Sequence, residues 1–349
     1  MNLKRALRFS RFRRVVLGMI GTGFISNVHM MAHQINPGVI VKALSDSDQS
    51  LLLRKSRLWG VKDVYPDYHY LLKDEEIEVV DIMTPHFLHK KSVCDALEAG
   101  KTVICEKPLA LSEEEVRAIS LLAKRTGRKV YVKQYLRHSK VLMRVKKLLE
   151  SGTLGEPYLV NCMFTGNSIS QYEDALNWRS NLKESGGGVF TDIGVHILDL
   201  LQWYFGNPVS VFSQMAKVKS TLPTKGEDVV SLLVNYQHNI LSTISCTHID
   251  LGYGFRWEIK VYCTDGVIQV IDEGGKKLRK LTVIKDNKVV HHMEEDNWWQ
   301  AANIAVLTDI INRIRLNLDP EVSLEDARKV AKIITAGYSS SNLGKKIVI

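Results

Sequence analysis

A histidine and an aspartate lie four residues apart behind a run of glycines, in the segment Gly186-Gly187-Gly188-Val189-Phe190-Thr191-Asp192-Ile193-Gly194-Val195-His196. In a helix this spacing places both side chains on one face, where the Asp192 carboxylate would orient the His196 ring and raise its basicity. A histidine that titrates near neutral pH is suited to proton transfer, and glycines let a backbone pass close to a ligand. The alternative is a helix-capping aspartate followed by a histidine that only packs in the core.

A lysine occupies the turn Glu106-Lys107-Pro108, directly after the apolar run 101–105, which we predict to be a strand. In an open parallel sheet, ligands bind at the carboxyl ends of the strands. The proline fixes its own φ and favours extended geometry at Lys107, so the amine can reach into the ligand crevice. A lone lysine at a strand end is more often a surface residue, so a catalytic role depends on partners elsewhere in the chain.

A glycine turn near the N-terminus predicts a dinucleotide site. Gly21-Thr22-Gly23-Phe24-Ile25-Ser26 follows the apolar strand Val15–Ile20 and opens a helix. The first glycine permits the tight turn, the second lets the backbone approach a pyrophosphate, and the helix N-terminus supplies free N–H groups. Ser26 replaces the third glycine of the usual fingerprint and is small enough for close packing. A tight turn in another kind of α/β protein is the alternative.

An aspartate marks the end of the next predicted strand, 23 residues after Gly23. A carboxylate at this place accepts hydrogen bonds from the adenine-ribose hydroxyls in dinucleotide-binding folds. Asp46 therefore favours NAD over NADP, because a 2′-phosphate would face its negative charge. NADP remains open, since Arg54 or Arg57 could receive that phosphate. Asp46 could instead begin the following helix, a role that Asp48 could fill as well.

The pattern of strands and helices changes near residue 136. Before it, apolar runs alternate with amphipathic segments, which is typical of a parallel sheet covered by helices on both faces. After it, period-two strands joined by Gly, Asp and Asn turns predict a mainly antiparallel sheet. We therefore predict an α/β protein with a basic N-terminal extension (1–14), a Rossmann dinucleotide-binding domain (15–136) and an α/β domain with a large, mainly antiparallel open sheet (137–349). The last helix, about 323–341, could pack back on the first domain.

The predicted elements are short and numerous. The predicted strands are 15–20, 39–44, 78–83, 101–105 and 129–132 in the first domain, and 158–164, 209–217, 229–236, 240–247, 257–262, 267–271 and 281–284 in the second. The predicted helices are 27–34, 49–58, 87–98, 113–125, 140–150, 189–205, 298–316 and 324–340.

Composition and charge exclude several classes of protein. A chain of 349 residues is too long for one small domain, and it lacks the run of roughly 18 apolar residues that a membrane span needs. The formal net charge is +9, but residues 1–14 contain six basic residues and no acidic one; subtracting these six leaves +3 over the other 335. That balance is not typical of a nucleic-acid-binding surface. The basic segment is either a flexible extension or an organelle-targeting segment.

Cysteine and histidine positions predict no metal site. The five cysteines are scattered without a C-x-x-C pair, which is typical of reduced thiols in a cytoplasmic protein. His29 and His33 have the i,i+4 spacing of a metal-binding pair, but no third ligand is evident in the sequence.

These motifs in combination resemble the Gfo/Idh/MocA family of oxidoreductases, which is named for glucose–fructose oxidoreductase and inositol dehydrogenase. The resemblance covers nearly the whole chain from Val15 onward. Its specific part is the Glu-Lys-Pro turn together with the Gly-Gly-Gly…Asp…His helix. The matching segments are Gly21-Thr22-Gly23, Thr84-Pro85 with His89, Glu106-Lys107-Pro108, Trp178-Arg179, and the Gly186–His196 run with Asp199.

The resemblance implies a site and an assembly. It implies that Lys107, Asp192 and His196 meet around the substrate opposite the nicotinamide, and that the second domain's open sheet forms the interface of a homodimer or homotetramer. His86 departs from the asparagine that many relatives carry after Thr-Pro, and the stretch Gln134-Tyr135-Leu136-Arg137 is a loose match. The predicted cofactor residues are Gly21, Thr22, Gly23, Phe24, Ile25, Asp46, Thr84, Pro85, His86, His89, Glu106, Lys107 and Gln134, and the predicted substrate residues are Lys107, Arg137, Trp178, Arg179, Asp192 and His196.

The implied function is NAD- or NADP-dependent interconversion of an alcohol and a ketone on a sugar, cyclitol or related polyhydroxy substrate. His196 would take the hydroxyl proton, Lys107 would hydrogen-bond the reacting oxygen, and Asp192 would hold the imidazole. The two arginines, Arg137 and Arg179, could bind a substrate carboxylate or phosphate, or could be structural ion-pair partners. An NAD-dependent glycosidase and a non-catalytic, cofactor-sensing regulator are the alternatives. Loss of Lys107 or His196 would favour the regulator, and both residues are present.

Overall fold

A computed structural model of the protein describes residues 13–250, 252, 255–273 and 278–349. Of the basic N-terminal segment, only Arg13 and Arg14 belong to this part, and the expectations for residues 1–12 lie outside it. Arg13 forms an ion pair with Glu78, and its carbonyl accepts a hydrogen bond from Arg315 at 3.0 Å.

The chain divides into two units. The first runs to Tyr135 and also contains Asn303–Ala327, and the second consists of Leu136–Ala302 and Arg328–Ile349. Most of the last helix therefore belongs to the second unit. The late segment of the first unit, Asn303–Ala327, lies mostly before this helix.

The first unit contains a parallel sheet with helices between its strands. Its strands are β1 (Val15–Ile20), β2 (Val39–Ser45), β3 (Asp63–Tyr65), β4 (Val79–Ile82), β5 (Thr102–Cys105) and β6 (Val130–Val132), and its helices are α1 (Ser26–Ile35), α2 (Gln49–Trp59), α3 (Tyr68–Leu72), α4 (His86–Glu98) and α5 (Glu113–Thr126). Among the described residues the strand order is β3-β2-β1-β4-β5-β6, with every pair parallel. This is the doubly wound order, and its reversal between β1 and β4 opens a crevice at the carboxyl ends of the strands.

The second unit is built on a large mixed sheet. Its strands are β7 (Pro157–Thr165), β8 (Pro208–Ala216), β9 (Val229–Tyr236), β10 (Ile240–Thr247), β11 (Arg256–Cys263), β12 (Gly266–Glu273), β13 (Leu278–Lys285), β14 (Lys288–Asp296) and β15 (Ile347–Val348), and the helices of the remaining chain are α6 (Lys140–Glu150), α7 (Leu182–Ser185), α8 (Val195–Phe205), α9 (Trp298–Arg315) and α10 (Leu324–Leu343). In the described part the order is β14-β13-β12-β11-β7-β10-β9-β8-β15. Only β7 and β10 pair in parallel there, so the predicted mainly antiparallel sheet is confirmed.

The strands of the second sheet bury one face and expose the other. In β9 and β10, buried side chains such as Leu232 and Ile244 alternate with exposed ones such as Leu233 and Leu241. Helix α10 packs on the buried face, where the Ser213 hydroxyl donates a 2.5 Å hydrogen bond to the Gly337 carbonyl. One face therefore forms the core of the unit, and the other remains open.

The core of the first unit uses a helix from far along the chain. Leu17 and Met19 of β1 are fully buried, and the second half of α9 packs in the same cluster through Val306 and Ile310. Apolar residues recur on that half of α9 at positions 306, 307, 310 and 311, which forms a stripe along one face. This packing explains why Asn303–Ala327 belongs to the first unit.

The prediction of elements is confirmed in most places and incomplete in a few. Strands β3, β14 and β15 and helices α3 and α7 were not predicted, because each is short or largely exposed and shows little periodicity. The predicted helix 189–205 is a π-type turn, Phe190–Gly194, followed by α8. Ser323 and Asp326 exchange hydrogen bonds of 3.0 Å, which form a capping box at the start of α10. In the part of the chain that is described, no helix has the length and hydropathy to span a membrane.

Arg137 is a structural residue, which corrects its prediction as a substrate-binding residue. Its guanidinium donates to both carboxylate oxygens of Asp199, at 2.8 and 2.7 Å. Both residues are buried, with 4% and 1% of their side chains exposed, and Trp203 lies 5.9 Å from the guanidinium carbon. A bidentate pair in this setting ties the 3₁₀ turn Tyr135–His138 to α8. The alternative of an ion-pair partner is therefore the correct one for Arg137.

We predict that Asp199→Ala lowers the free energy of unfolding by about 3–5 kcal/mol, because it leaves a buried guanidinium without its carboxylate. Urea denaturation followed by tryptophan fluorescence measures this loss. The exposed pair of Arg125 and Glu98, 3.4 Å apart, gives the control, and Glu98→Ala should change the free energy by less than about 1 kcal/mol. Equal effects of the two substitutions would contradict the structural role of Asp199.

Candidate functional site

The glycine turn has the conformation and the open space that a pyrophosphate requires. Gly21 has φ +94°, and a Cβ there would lie 2.7 Å from the Met83 carbonyl oxygen, so no other residue fits. A Cβ on Gly23 would meet nothing within 4 Å. Ser26 stands at the position of the third glycine, and its hydroxyl donates a 2.5 Å hydrogen bond to the Gly23 carbonyl inside the turn. The chain's own atoms leave room in front of Gly23.

The two residues after this glycine differ in exposure. Phe24 is 80% exposed, so its side chain lies on the surface of the turn. Ile25 is partly buried against the core cluster of the first unit. The backbone of Ile25 can still border a cofactor, but its side chain is a packing residue.

Asp46 is tied to the glycine turn, and Asp48 begins the helix. One Asp46 oxygen accepts hydrogen bonds from the N–H and hydroxyl of Thr22 at 2.6 and 2.8 Å, and the other accepts from the N–H of Asp48 at 3.0 Å. Asp48 caps α2 by accepting from the N–H of Leu51 at 2.9 Å. The alternative role for Asp46 as a helix cap is therefore wrong. A carboxylate has about four acceptor positions, so Asp46 retains capacity for a ribose hydroxyl.

His89 is a buried support for the lysine turn, which corrects the expectation that it contacts the cofactor. The ring is fully buried; Nδ1 lies 2.6 Å from the Pro108 carbonyl oxygen and Nε2 lies 2.9 Å from that of Thr84. Burial lowers the pKa of His89, so the neutral ring donates a hydrogen bond to one of these two carbonyl oxygens. Thr84 and Pro85, half-buried at the end of β4, and His86, buried at the start of α4, remain candidates for the cofactor site.

The Glu106 carboxylate points into the protein, and Lys107 is the half-exposed residue of its turn. Glu106 is 8% exposed and accepts a hydrogen bond of 2.6 Å from the Lys133 ammonium group. Burial alone would raise its pKa, but Lys133 and His29 hold the pKa well below its usual range. Lys107 is partly exposed between buried neighbours, and Gln134, after β6, is 4% exposed. Glu106 is therefore ionised, and its carboxylate supports the turn; its contact with the cofactor stays a prediction.

In the second unit, Asp192 joins a small polar cluster. It lies in the π-type turn one helical turn before His196, which is 4% exposed. One Asp192 oxygen accepts a 3.3 Å hydrogen bond from the Tyr172 hydroxyl and lies 3.9 Å from Nε of Arg179. The Arg179 guanidinium in turn lies 4.3 Å from the Trp178 ring centre. Trp178, Arg179 and Asp192 therefore lie together, and their contact with a substrate stays a prediction. π-type turns are frequent at functional sites.

The glycine run serves internal packing, which corrects the expectation that it approaches a ligand. A Cβ on Gly187 would collide with the Tyr338 hydroxyl, and one on Gly188 would collide with the backbone of Glu227. The Glu227 carboxylate accepts from the N–H groups of Gly188 and Phe190 at 3.0 and 2.9 Å, and from the Tyr338 hydroxyl at 3.0 Å. Glu227 therefore holds the start of the helical segment that carries Asp192 and His196.

Sequence reasoning missed His248, which lies beside this cluster. Its ring is 1% exposed and stacks on Tyr172, with ring centres 4.3 Å apart and planes 9° from parallel. Neither ring nitrogen has a hydrogen-bond partner among the described residues, which is costly for a buried polar group. Burial lowers the pKa of His248, so the neutral ring offers one donor and one acceptor. The place of His248 follows from the pairing of β7 and β10, which brings residues 165 and 247 together. Local sequence patterns do not show that pairing.

Two family descriptions match the two parts of the chain. Residues 15–134 match "Oxidoreductase family, NAD-binding Rossmann fold", and residues 142–269 match "GFO/IDH/MocA C-terminal domain". The first match contains the glycine turn, Asp46 and Lys107, and the second contains Asp192 and His196.

Individual relatives are similar over most of this chain. The rhizopine catabolism protein MocA of Rhizobium meliloti is 30% identical over 249 residues, which is 70% of this chain and 73% of that protein. D-apiose dehydrogenase of Paraburkholderia graminis is 28% identical over 230 residues, which is 66% of this chain; the chain thus spans 60% of that relative, less than two thirds of its length.

A solved structure has the same fold. Levoglucosan dehydrogenase, in complex with NADH and levoglucosan, superposes with a TM-score of 0.87 at 20% identity, over 97% of this chain and 100% of that one. The matches over both parts of the sequence and the similarity to MocA lead to one conclusion: the chain belongs to the Gfo/Idh/MocA family of oxidoreductases, and its first unit is that family's NAD-binding Rossmann fold.

Proposed function

We propose that this protein is an NAD-dependent dehydrogenase that interconverts a hydroxyl and a ketone on a sugar, cyclitol or related polyhydroxy compound. The observation that carries the proposal is the presence, in a chain of an NAD-binding oxidoreductase family, of Lys107 at the carboxyl edge of the first sheet and of Asp192 and His196 on one helical segment. Relatives that are named D-apiose dehydrogenase and levoglucosan dehydrogenase support a sugar as the substrate class.

Each of the three side chains has a chemical role in the proposed reaction. NAD, when bound, accepts the hydride from the carbon that is oxidised. His196 removes the proton of the hydroxyl on that carbon, and Asp192 stabilises the resulting positive charge on the ring. Lys107 donates a hydrogen bond to the same oxygen and stabilises its negative charge in the transition state, a contribution of about 3–4 kcal/mol for one preorganised donor. In the opposite direction the same groups serve ketone reduction.

Arg179 and Trp178 belong to the proposed substrate site. The guanidinium lies at 3.9 Å from Asp192, which is longer than a direct hydrogen bond, and over the Trp178 ring. A cation in this position could bind a carboxylate or a phosphate on the substrate. The guanidinium could equally pair with the Asp192 carboxylate and balance its negative charge. Both uses are compatible with the proposed reaction.

We predict that Lys107→Ala and His196→Ala each lower kcat at least about 100-fold, because each removes a group that acts on the reacting oxygen. A screen of polyols, inositols, sugar acids and sugar phosphates with NAD and NADP, followed at 340 nm, first identifies the substrate. Binding of NADH, measured by its fluorescence, should persist in both variants. The exposed residues Lys124 and His238 provide alanine controls, which should keep normal rates. Near-normal turnover in either active-site variant would refute its role.

We propose that the His248 ring hydrogen-bonds a substrate hydroxyl, and we predict that His248→Phe raises KM for the identified substrate about 5-fold or more and leaves kcat within about twofold, because that hydrogen bond of about 1 kcal/mol is lost. Phenylalanine preserves the stacking on Tyr172 and removes two buried nitrogens without partners among the described residues, so the free energy of unfolding should not fall. Steady-state kinetics and urea denaturation measure the two quantities. An unchanged KM would assign His248 to the core alone.

We also propose a homodimer or homotetramer that buries the open face of the second sheet, in the cytoplasm. Leu233 and Leu241 are 51% and 50% exposed on that face, and Met163 of β7 is 36% exposed. The scattered cysteines, with free thiols, support the location, which fractionation of the host cells would test.

We predict that Leu233→Glu shifts the protein toward the monomer in sedimentation velocity, because a charge cannot be buried in an apolar interface without a partner. Val218, which is 62% exposed after the end of β8, provides the control Val218→Glu, and that variant should sediment as the wild type. A wild-type monomer, or an unchanged oligomer in Leu233→Glu, would refute this interface.

A further inference from the structure

A chain of hydrogen bonds inside the first unit ends at the peptide nitrogen of Lys107. The Glu106 carboxylate accepts a 3.1 Å hydrogen bond from that N–H through Oε2. Its other oxygen, Oε1, lies 2.6 Å from the Lys133 ammonium and 2.9 Å from Nε2 of His29. Glu106 therefore holds the backbone of the next residue, Lys107. The side chains of Lys133 and His29 in turn hold Glu106.

His29 joins Glu106 to a second buried carboxylate. Its Nδ1 lies 2.7 Å from Oδ2 of Asp81, and Nε2 of His33 lies 2.8 Å from the same oxygen. His29 and Asp81 are 0% exposed, and His33 is 2% exposed. Since both nitrogens of His29 face carboxylate oxygens, only the doubly protonated ring donates to both.

The charges around His29 then balance. Asp81 and Glu106 carry two negative charges, and Lys133 and the His29 imidazolium carry two positive charges. Burial by itself would lower the pKa of His29, and Lys133 acts in the same direction, but the Asp81 carboxylate and the two hydrogen bonds raise it above its ordinary value. Buried ions persist when they are paired and hydrogen-bonded; both Glu106 oxygens and Oδ2 of Asp81 meet this condition, whereas Oδ1 of Asp81 has no hydrogen-bond partner among the described residues.

His89 lies on the other side of the turn. Its ring is between the carbonyl oxygens of Pro108 and Thr84, and when neutral it donates a hydrogen bond to one of them. Lys107 therefore lies between Glu106, which contacts His29, and Pro108, whose carbonyl contacts His89. Residues 106 and 108–110 are buried, and Lys107 is half-buried. The backbone on both sides of Lys107 is thus packed against buried histidines.

We propose that His29 is a positioning residue: as an imidazolium between Asp81 and Glu106, it holds the Glu106 carboxylate against the N–H of Lys107 and so fixes the amine for catalysis. This inference rests on the proposed function, in which Lys107 acts on the substrate. The path runs from α1, which follows the glycine turn, through β4 to the turn after β5.

A bound metal ion is the competing explanation for this cluster. Atoms of His29, His33 and Asp81 lie close enough together to be considered as ligands. Tetrahedral ligands of zinc, at about 2.0–2.1 Å from the ion, are separated by about 3.3 Å. The observed separations of 2.7 and 2.8 Å are those of hydrogen bonds instead. The balance of charge likewise requires no ion.

The test compares two histidines that share one carboxylate. Both histidines contact Asp81, but of the two only His29 also has a described hydrogen bond to Glu106. In the NADH-bound protein, the Lys107 amide hydrogen should exchange at least about 10-fold faster in the His29→Gln variant than in the wild type. The reason is that the charge-assisted hydrogen bond from this amide to Glu106 has lost the support of His29. His33→Gln, which also removes a buried ring from α1, should stay within about twofold. Hydrogen exchange followed by NMR measures the rates.

The same variants separate positioning from stability in turnover. His29→Gln should lower kcat at least about 10-fold at unchanged KM, whereas His33→Gln should keep the wild-type kcat even where it unfolds more easily. If His29→Gln does not fold, Glu106→Gln replaces it, because it keeps His29 and weakens the acceptor of the Lys107 N–H; the exchange should accelerate in the same way.

Three results would overturn the proposal. The first is equal exchange of the Lys107 amide in the wild type, in His33→Gln and in the test variant, which is His29→Gln or, in its place, Glu106→Gln. The second is a His29 ring that NMR shows to be neutral at about pH 7.5, one unit above the ordinary histidine pKa of about 6.5. The third is one zinc ion per chain that both histidine variants lose. Absence of turnover with every compound would refute the proposed function but leave the exchange comparison intact.

Discussion

The first unit depends on the compensation of buried charge at the carboxyl edge of its parallel sheet. Glu106 and Asp81 are ionised in the interior, and each would be strongly destabilising without the cations around it. Lys133 supplies one of those cations at hydrogen-bond distance, and His29, as the imidazolium proposed above, supplies the other. The same contacts fix the turn that carries Lys107, so the stability of the sheet edge and the geometry of the candidate catalytic amine have one physical origin.

The second unit positions its polar groups by a different device. Glu227 accepts the hydrogen bonds of the first N–H groups of the helical segment, and Gly187 and Gly188 allow Tyr338 and the Glu227 backbone to approach it closely. The segment begins as a π-type turn that carries Asp192 and continues as the helix that carries His196. A buried carboxylate is again the anchor, but it acts on backbone donors instead of on cationic side chains.

Most of the fold could be predicted from local pattern. Continuous apolar runs between amphipathic segments indicated the parallel sheet, and alternation indicated the antiparallel one, because burial on two faces or on one face leaves these periods in the sequence. The three-residue β3 has no room for a period, and β14, with most of its side chains exposed, shows little of one. The glycine turn, Asp46, Lys107 and the Asp192–His196 spacing were likewise visible, since each depends on residues close together in the chain.

The sequence by itself determined the class of fold, the family resemblance and the side chains capable of the chemistry, because residue type and local spacing carry that information. Only the tertiary structure decided which of the candidates are structural. His89 and Arg137 have the same residue types as ligand-binding groups, but their partners, at Pro108 and Asp199, lie 19 and 62 residues away. Asp81, the partner of His29, lies 52 residues away, and His248 lies beside Tyr172 through the pairing of two strands. Contacts at such separations are set by packing, which no local spacing encodes.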